Sequence, residues 1–253
     1  MPTTSITGSA PPLAAVSFAM WANAVVDGRT SLDDAAAEIC GARPHRVSGV
    51  PGESCPAPLT IALGRLRMSG ARAFGIALPV PGDPLGLSGP RAYTEAAVVA
   101  GQAVVIPHLR LGLVPTSPGG GLGSTVHWET WADLLEAPPA ESVPAAARAL
   151  REAVLAAADA LAELDAPTTP GADPSHRRRD VSTPPGVDPR AYDLLARAER
   201  LLAAIQAALA DPSVAGSATL DTQRRSALVP VERAARRALL AACQPVLADL
   251  RRT

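Results

Sequence analysis

In residues 71–80, ARAFGIALPV, the large apolar side chains of Phe74, Ile76, Leu78 and Val80 alternate with Ala73, Gly75, Ala77 and Pro79. A period of two sends successive side chains to opposite faces of an extended chain, so this stretch suits a strand and not a helix. In the second half the pattern changes. Ala147, Leu150, Val154, Ala157, Leu161 and Leu164 recur at alternating steps of three and four, the stripe of a long helix. A chain that switches period midway points to an α+β fold: a small, mostly antiparallel sheet of about four strands, followed by a helical C-terminal half.

Three further segments fit the sheet. LTIALGRLRM (59–68) reads as a hairpin partner of 71–80, QAVVIP (102–107) as a third strand and STVHWETW (124–131) as a fourth. Helices are expected around them. Residues 10–26 show helical spacing, and Ser31 precedes LDDAAAEIC as a cap, with acids in the first turn and Gly41 after the last. PRAYTEAAVVAG opens on Pro90 and closes on Gly101, the usual asymmetry of helix ends. The Pro- and Gly-rich stretch 41–58 has room for one short strand.

After residue 142 the expected organisation is a helix at 143–165, a linker at 166–189 carrying six prolines, and a helical hairpin at 190–253. The domain before it spans 1–142. Asp188-Pro189 caps the first hairpin helix, and Pro230 and Pro245 are expected to break or bend the second.

The chain holds no lysine at all. That removes the usual Walker phosphate loop, the protein-kinase site and Schiff-base chemistry, each of which needs an amine. PGGGLGS (118–124) imitates a dinucleotide loop, but Ser124 stands where the third glycine belongs and a strand follows instead of a helix. Gly86-Leu87-Ser88-Gly89-Pro90 misses the nucleophile elbow at its last position. Cys40, His45 and Cys55 are close in sequence, yet their spacings match no zinc pattern, and three cysteines without pairing suit a reducing compartment. Neither a cofactor nor a metal is called for.

Net charge is −1, which gives little pull toward polyanions. The arginine clusters Arg177–Arg179, Arg224-Arg225 and Arg236-Arg237 keep a nucleic-acid role open, against which stand few aromatic residues for base stacking. No run reaches the ~18 apolar residues of a membrane span. LAAVSFAMWANA (13–24) lacks a basic residue ahead of it, so it reads as a helix rather than a secretory signal, and the expected location is the cytoplasm.

Two candidate sites remain. The first is ALPVPGDPLGLSGP (77–90) with the strand face beyond it: Asp83 and Arg91 are the charges near a stiff loop at a helix start, and His127 and Glu129 share one strand face. Turn chemistry alone also explains every residue of that loop. The second is the apolar stripe of the last helix, with Leu228, Val231, Leu239 and Val246 as partner-binding residues. The leading expectation is a non-enzymatic interaction or accessory protein, self-associating or partner-binding through its C-terminal helices; the alternative is a small-molecule-binding protein or enzyme at the first site.

Overall fold

The computed structural model describes residues 13–116, 124–136, 138–164, 182–210 and 218–244. They form seven α-helices and a six-stranded mixed sheet, an α+β fold with a helical C-terminal half. Two compact units divide the chain: one holds residues up to Pro139 together with Ser182–Val187 and the chain from Cys243, the other Ala140–Val181 and Asp188–Ala242.

In the first unit the order is α1 (Ala14–Val26), α2 (Leu32–Cys40), β1 (His45–Ser48), β2 (Ala57–Pro58), α3 (Leu59–Met68), β3 (Gly75–Ala77), α4 (Arg91–Ala100), β4 (Ala103–Ile106), β5 (Leu111–Thr116) and β6 (Val126–Trp131). The strands lie in the order β2-β1-β6-β5-β4-β3. Every neighbouring pair is antiparallel except β1 and β6, which run parallel.

One face of the sheet carries the main core. Phe18 of α1 meets Trp128 of β6 edge-on, with ring centroids 4.9 Å apart, and lies 6.1 Å from Phe74. Helix α1 is buried along nearly its whole circumference, as a helix apolar on all sides must be. Its buried polar groups are all bonded. Asn23 donates through Nδ2 to the Phe74 carbonyl and accepts from the Phe74 N–H, both at 2.8 Å, and the Gln102 side-chain oxygen accepts from the Ala15 N–H at 2.9 Å. Those bonds cancel the desolvation cost that an unpaired amide would carry.

The opposite face is covered in part by α4. Tyr93, fully buried, lies over Gly112 of β5, where a Cβ would come within 2.6 Å of its ring. Ala77, Ala97, Ala103, Val114 and Leu134 complete that layer.

Several expectations are corrected. Residues 59–68 form helix α3, not a strand: Leu59, Ala62, Leu63 and Leu66 are buried at helical spacing, and that face outweighs the strand preference of Thr60 and Ile61. The regular strand within 71–80 is only Gly75–Ala77. LGLVPT (111–116) is a strand the alternation test overlooked, because Gly112 and Pro115 interrupt it, and 41–58 contributes two strands rather than one. The end of the expected linker is held in place: Pro184 is buried, Trp21 donates to the Ser182 carbonyl and Arg29 to that of Pro185. Residues 166–181 lie outside the described residues.

The second unit is helical, with α5 (Val143–Glu163), α6 (Pro189–Ala210) and α7 (Ala218–Cys243). Ser142 accepts the Ala145 N–H and Asp188 the Arg190 N–H, each capping its helix. Helix α7 continues through Pro230, so that proline does not end it, and Pro245 lies outside the described residues. Ala157, Ile205 and Val231, one from each helix, form a common core with Ala153, Val154, Leu209 and Leu228 around it.

Candidate functional site

The loop that follows β3 is held by its own backbone. Val80 and Asp83 exchange two hydrogen bonds, of 3.0 Å and 2.9 Å, across Pro81-Gly82. Gly82 has φ +81°, so this is a turn with proline second and a positive-φ glycine third, the residues such a turn requires. The Leu78 N–H donates to the Leu85 carbonyl, and the Leu87 N–H to that of Pro84. Asp83 therefore sits at a turn corner. Arg91 begins α4 with 91% of its side chain exposed and pairs with Glu95 at 2.6 Å along the same helix.

His127 and Glu129 do share a strand face. The register sets Arg46 and Thr116 on either side of His127, and Ser48 and Val114 on either side of Glu129. His127 is half-buried and Glu129 exposed. Arg91 begins the helix that packs on this same face of the sheet. Two residues beyond it, Tyr93 packs on Gly112, whose cross-strand partner is Trp131, four residues or ~13 Å along β6 from His127. Asp83, Arg91, His127 and Glu129 are absent from the lining of the cleft described below. Among the described residues no cluster of three or more His, Cys, Asp or Glu is placed to hold a metal ion.

The apolar stripe of α7 is turned inward where it can be followed. Val231 is only 3% exposed and Leu239 fully buried, while Leu228 packs against the three-helix core. Val246 lies outside the described residues. Val231 and Leu239 are thus enclosed within the unit's own core, and Leu228 is partly buried beside it. Among the described residues of the second unit, the exposed large apolar side chains are Leu155 on α5 and Leu220 and Val229 on α7. Of the arginine clusters, Arg236 is buried with Glu232 4.0 Å away, Arg237 pairs with Glu141 at 3.6 Å, and Arg177–Arg179 lie outside the described residues.

A cleft of about 360 Å³ forms elsewhere, between α2, β1 and the β2–α3 junction, and none of the expected site residues lines it. Its walls are Ala36, Ala37, Pro44, Pro58 and Leu59, with Asp33, Cys40, His45 and Thr60 as its polar members. Gly41–Pro44 makes the turn that brings Cys40 and His45 together, and Arg43 pins that turn by donating to the Ser124 carbonyl at 3.0 Å and to its hydroxyl at 2.9 Å.

His45 is 6% exposed, and its Nδ1 accepts a hydrogen bond of 3.2 Å from Trp128 Nε1. Burial, helped by the neighbouring Arg43 guanidinium, pulls its pKa down to about 4, so the ring is neutral at pH 7. Burial also pushes the Cys40 thiol up, an effect only partly offset by the His45 backbone N–H it accepts. With a neutral thiol and an imidazole whose basic nitrogen is already occupied, the pair is not an activated nucleophile and base. The sequence signal was the proximity of Cys40 and His45. Reading it only for zinc spacing missed the cleft.

The comparisons with known proteins agree over nearly the whole chain. Residues 15–143 match the N-terminal domain of the Rv1486c-like protein family, and residues 144–240 its C-terminal domain. Two relatives from Mycobacterium tuberculosis, "Uncharacterized protein Rv1486c" of strain H37Rv and "Uncharacterized protein MT1533" of strain CDC 1551, are each 27% identical to it over 92% of this chain and 96% of their own. No solved structure matches the chain. With both domain models matched in order, the chain belongs to the Rv1486c-like protein family.

Proposed function

We propose that this protein is a non-catalytic interaction or accessory protein of the cytoplasm, and that it binds a protein partner through its helical unit. The observation that carries the reading is where the chain's reactive groups are spent. His45 is tied to Trp128, Asp83 sits in a turn, Arg91 pairs within its own helix, and Cys40 is a half-buried thiol whose pKa burial raises. Among the described residues the helical unit also exposes large apolar side chains, Leu155 at 60% and Val229 at 45%. Large exposed apolar side chains of this kind suit a partner's surface better than water. Val231 and Leu239, buried as they are, serve the unit's own core instead.

The test compares wild type with a Leu155→Glu/Val229→Glu variant in affinity capture, alongside light scattering at tens of micromolar. Both positions are exposed, so the variant should keep its helical content and melting behaviour. Loss of a captured protein, or of a dimer, supports the reading. Capture and mass unchanged in the variant would rule it out.

A further inference from the structure

The cleft at the α2–β1 turn has a feature that its neighbours in the fold do not explain. Trp128 Nε1 carries a hydrogen and can only donate, so the nitrogen it bonds, His45 Nδ1, is bare. A neutral imidazole with a bare Nδ1 carries its proton on Nε2. That second nitrogen makes no hydrogen bond among the described residues, although His45 is more than nine-tenths buried and lines the cleft. The atom is not sealed from solvent, so His45 has this N–H free to donate where it lines an opening of about 360 Å³, at the small end of the size range of ligand sites.

We propose that this cleft binds a small amide-bearing molecule, whose carbonyl oxygen accepts from His45 Nε2–H and whose amide N–H donates toward Asp33. The chemistry of the lining selects that class. His45 offers a neutral donor and no positive charge, so it favours a carbonyl over a carboxylate. Asp33, exposed at the rim, repels an anion and accepts a hydrogen bond. Ala36, Ala37, Pro44, Pro58 and Leu59 supply apolar walls for the rest of the molecule. Cys40 adds a soft, uncharged thiol and no reaction. The site is separate from the exposed apolar residues of the helical unit, so the two proposals stand or fall independently.

The experiment uses the full chain, with benzamide, benzoate and benzylamine as probes of one ring and three head groups. Heteronuclear NMR reads the amide signals of α2 and the ring nitrogens of His45. Benzamide should shift the His45 Nε2 and Ala36–Ala37 signals in a saturable way, and benzoate should bind at least ten-fold more weakly. Ala37→Phe, an exposed position on the cleft wall, should abolish the benzamide shifts while leaving the His45–Trp128 signals in place. Benzamide failing to bind at 10 mM, benzoate binding as well as benzamide, or Ala37→Phe binding as wild type would each overturn the proposal. So would ring-nitrogen shifts showing the proton of His45 on Nδ1 at pH 7.

Discussion

Six of the chain's seven aromatic residues lie between residues 18 and 131, in the sheet-bearing unit, and the helical unit has Tyr192 alone. The first unit therefore fills its core with a few large side chains, Phe18, Phe74, Tyr93 and Trp128, and bonds the polar groups beneath them: Asn23 to the Phe74 backbone, Gln102 to Ala15, His45 to Trp128. The second packs three helices through Ala157, Ile205 and Val231 and keeps a carboxylate, Glu199, largely out of water. Per residue, aromatic and branched side chains remove more apolar area from water than alanine does. The sheet unit should be the more stable of the two, and the helical unit the one whose surface adapts to a partner.

The largest effect that can break this comparison is a core truncation. Trp128→Ala removes the side chain that Phe18 meets edge-on and that bonds His45, and should destabilise the sheet unit by about 3–5 kcal/mol. Ile205→Ala should cost the helical unit about 2–4 kcal/mol and leave the sheet unit's near-ultraviolet dichroism intact. One common unfolding transition lowered equally by both would mean that the two cores are not separate.

A sharper contrast lies in pH. Burial raises the Glu199 pKa from 4.5 to about 7, so the helical unit keeps its full stability below about 4.5 and loses it as pH rises through about 7. Burial lowers that of His45 from 6.5 to about 4, so the sheet unit holds its stability above about 6.5 and loses it as pH falls toward 4. Each shift corresponds to a change on the order of 3 kcal/mol at most. Glu199→Gln should therefore raise the melting temperature of the helical unit at pH 8 and change it little at pH 4. Melting curves of the two units that move in the same direction with pH would contradict these environments.

The smallest effects come from the loop after β3. Asp83→Ala should cost about 1 kcal/mol through the turn it occupies, and Arg91→Ala less than about 0.5 kcal/mol, because its ion pair with Glu95 is exposed to water. Thermal melts of the two variants separate these values. A larger loss at Arg91 than at Asp83 would return that arginine to the list of site residues.

The loop was legible because its chemistry is local. Pro81, Gly82 and Gly86 dictate turns from their own backbone preferences, and Ser31, Ser142 and Asp188 dictate helix starts by bonding N–H groups two or three residues on. The α7 stripe was legible as apolar but not as buried, since a stripe looks the same whether a neighbouring helix or a partner covers it. Helix α3 was misread for a related reason. Its few β-branched residues favour a strand, and only burial of Leu59, Leu63 and Leu66 on one side settles the matter.

By itself, then, the amino-acid order determined the α+β class, the turn and capping chemistry and the exclusion of lysine-dependent catalysis, because each depends on residues near one another in the chain or on a residue type being absent. The tertiary structure alone decided the parallel pairing of β1 with β6, and that pairing sets Val47 of β1 beside Trp128 of β6. Trp128 then reaches His45, eighty-three positions away, and fixes which ring nitrogen carries the proton. A proton's position on an imidazole depends on what approaches its other nitrogen, and no local pattern encodes a partner that only folding delivers.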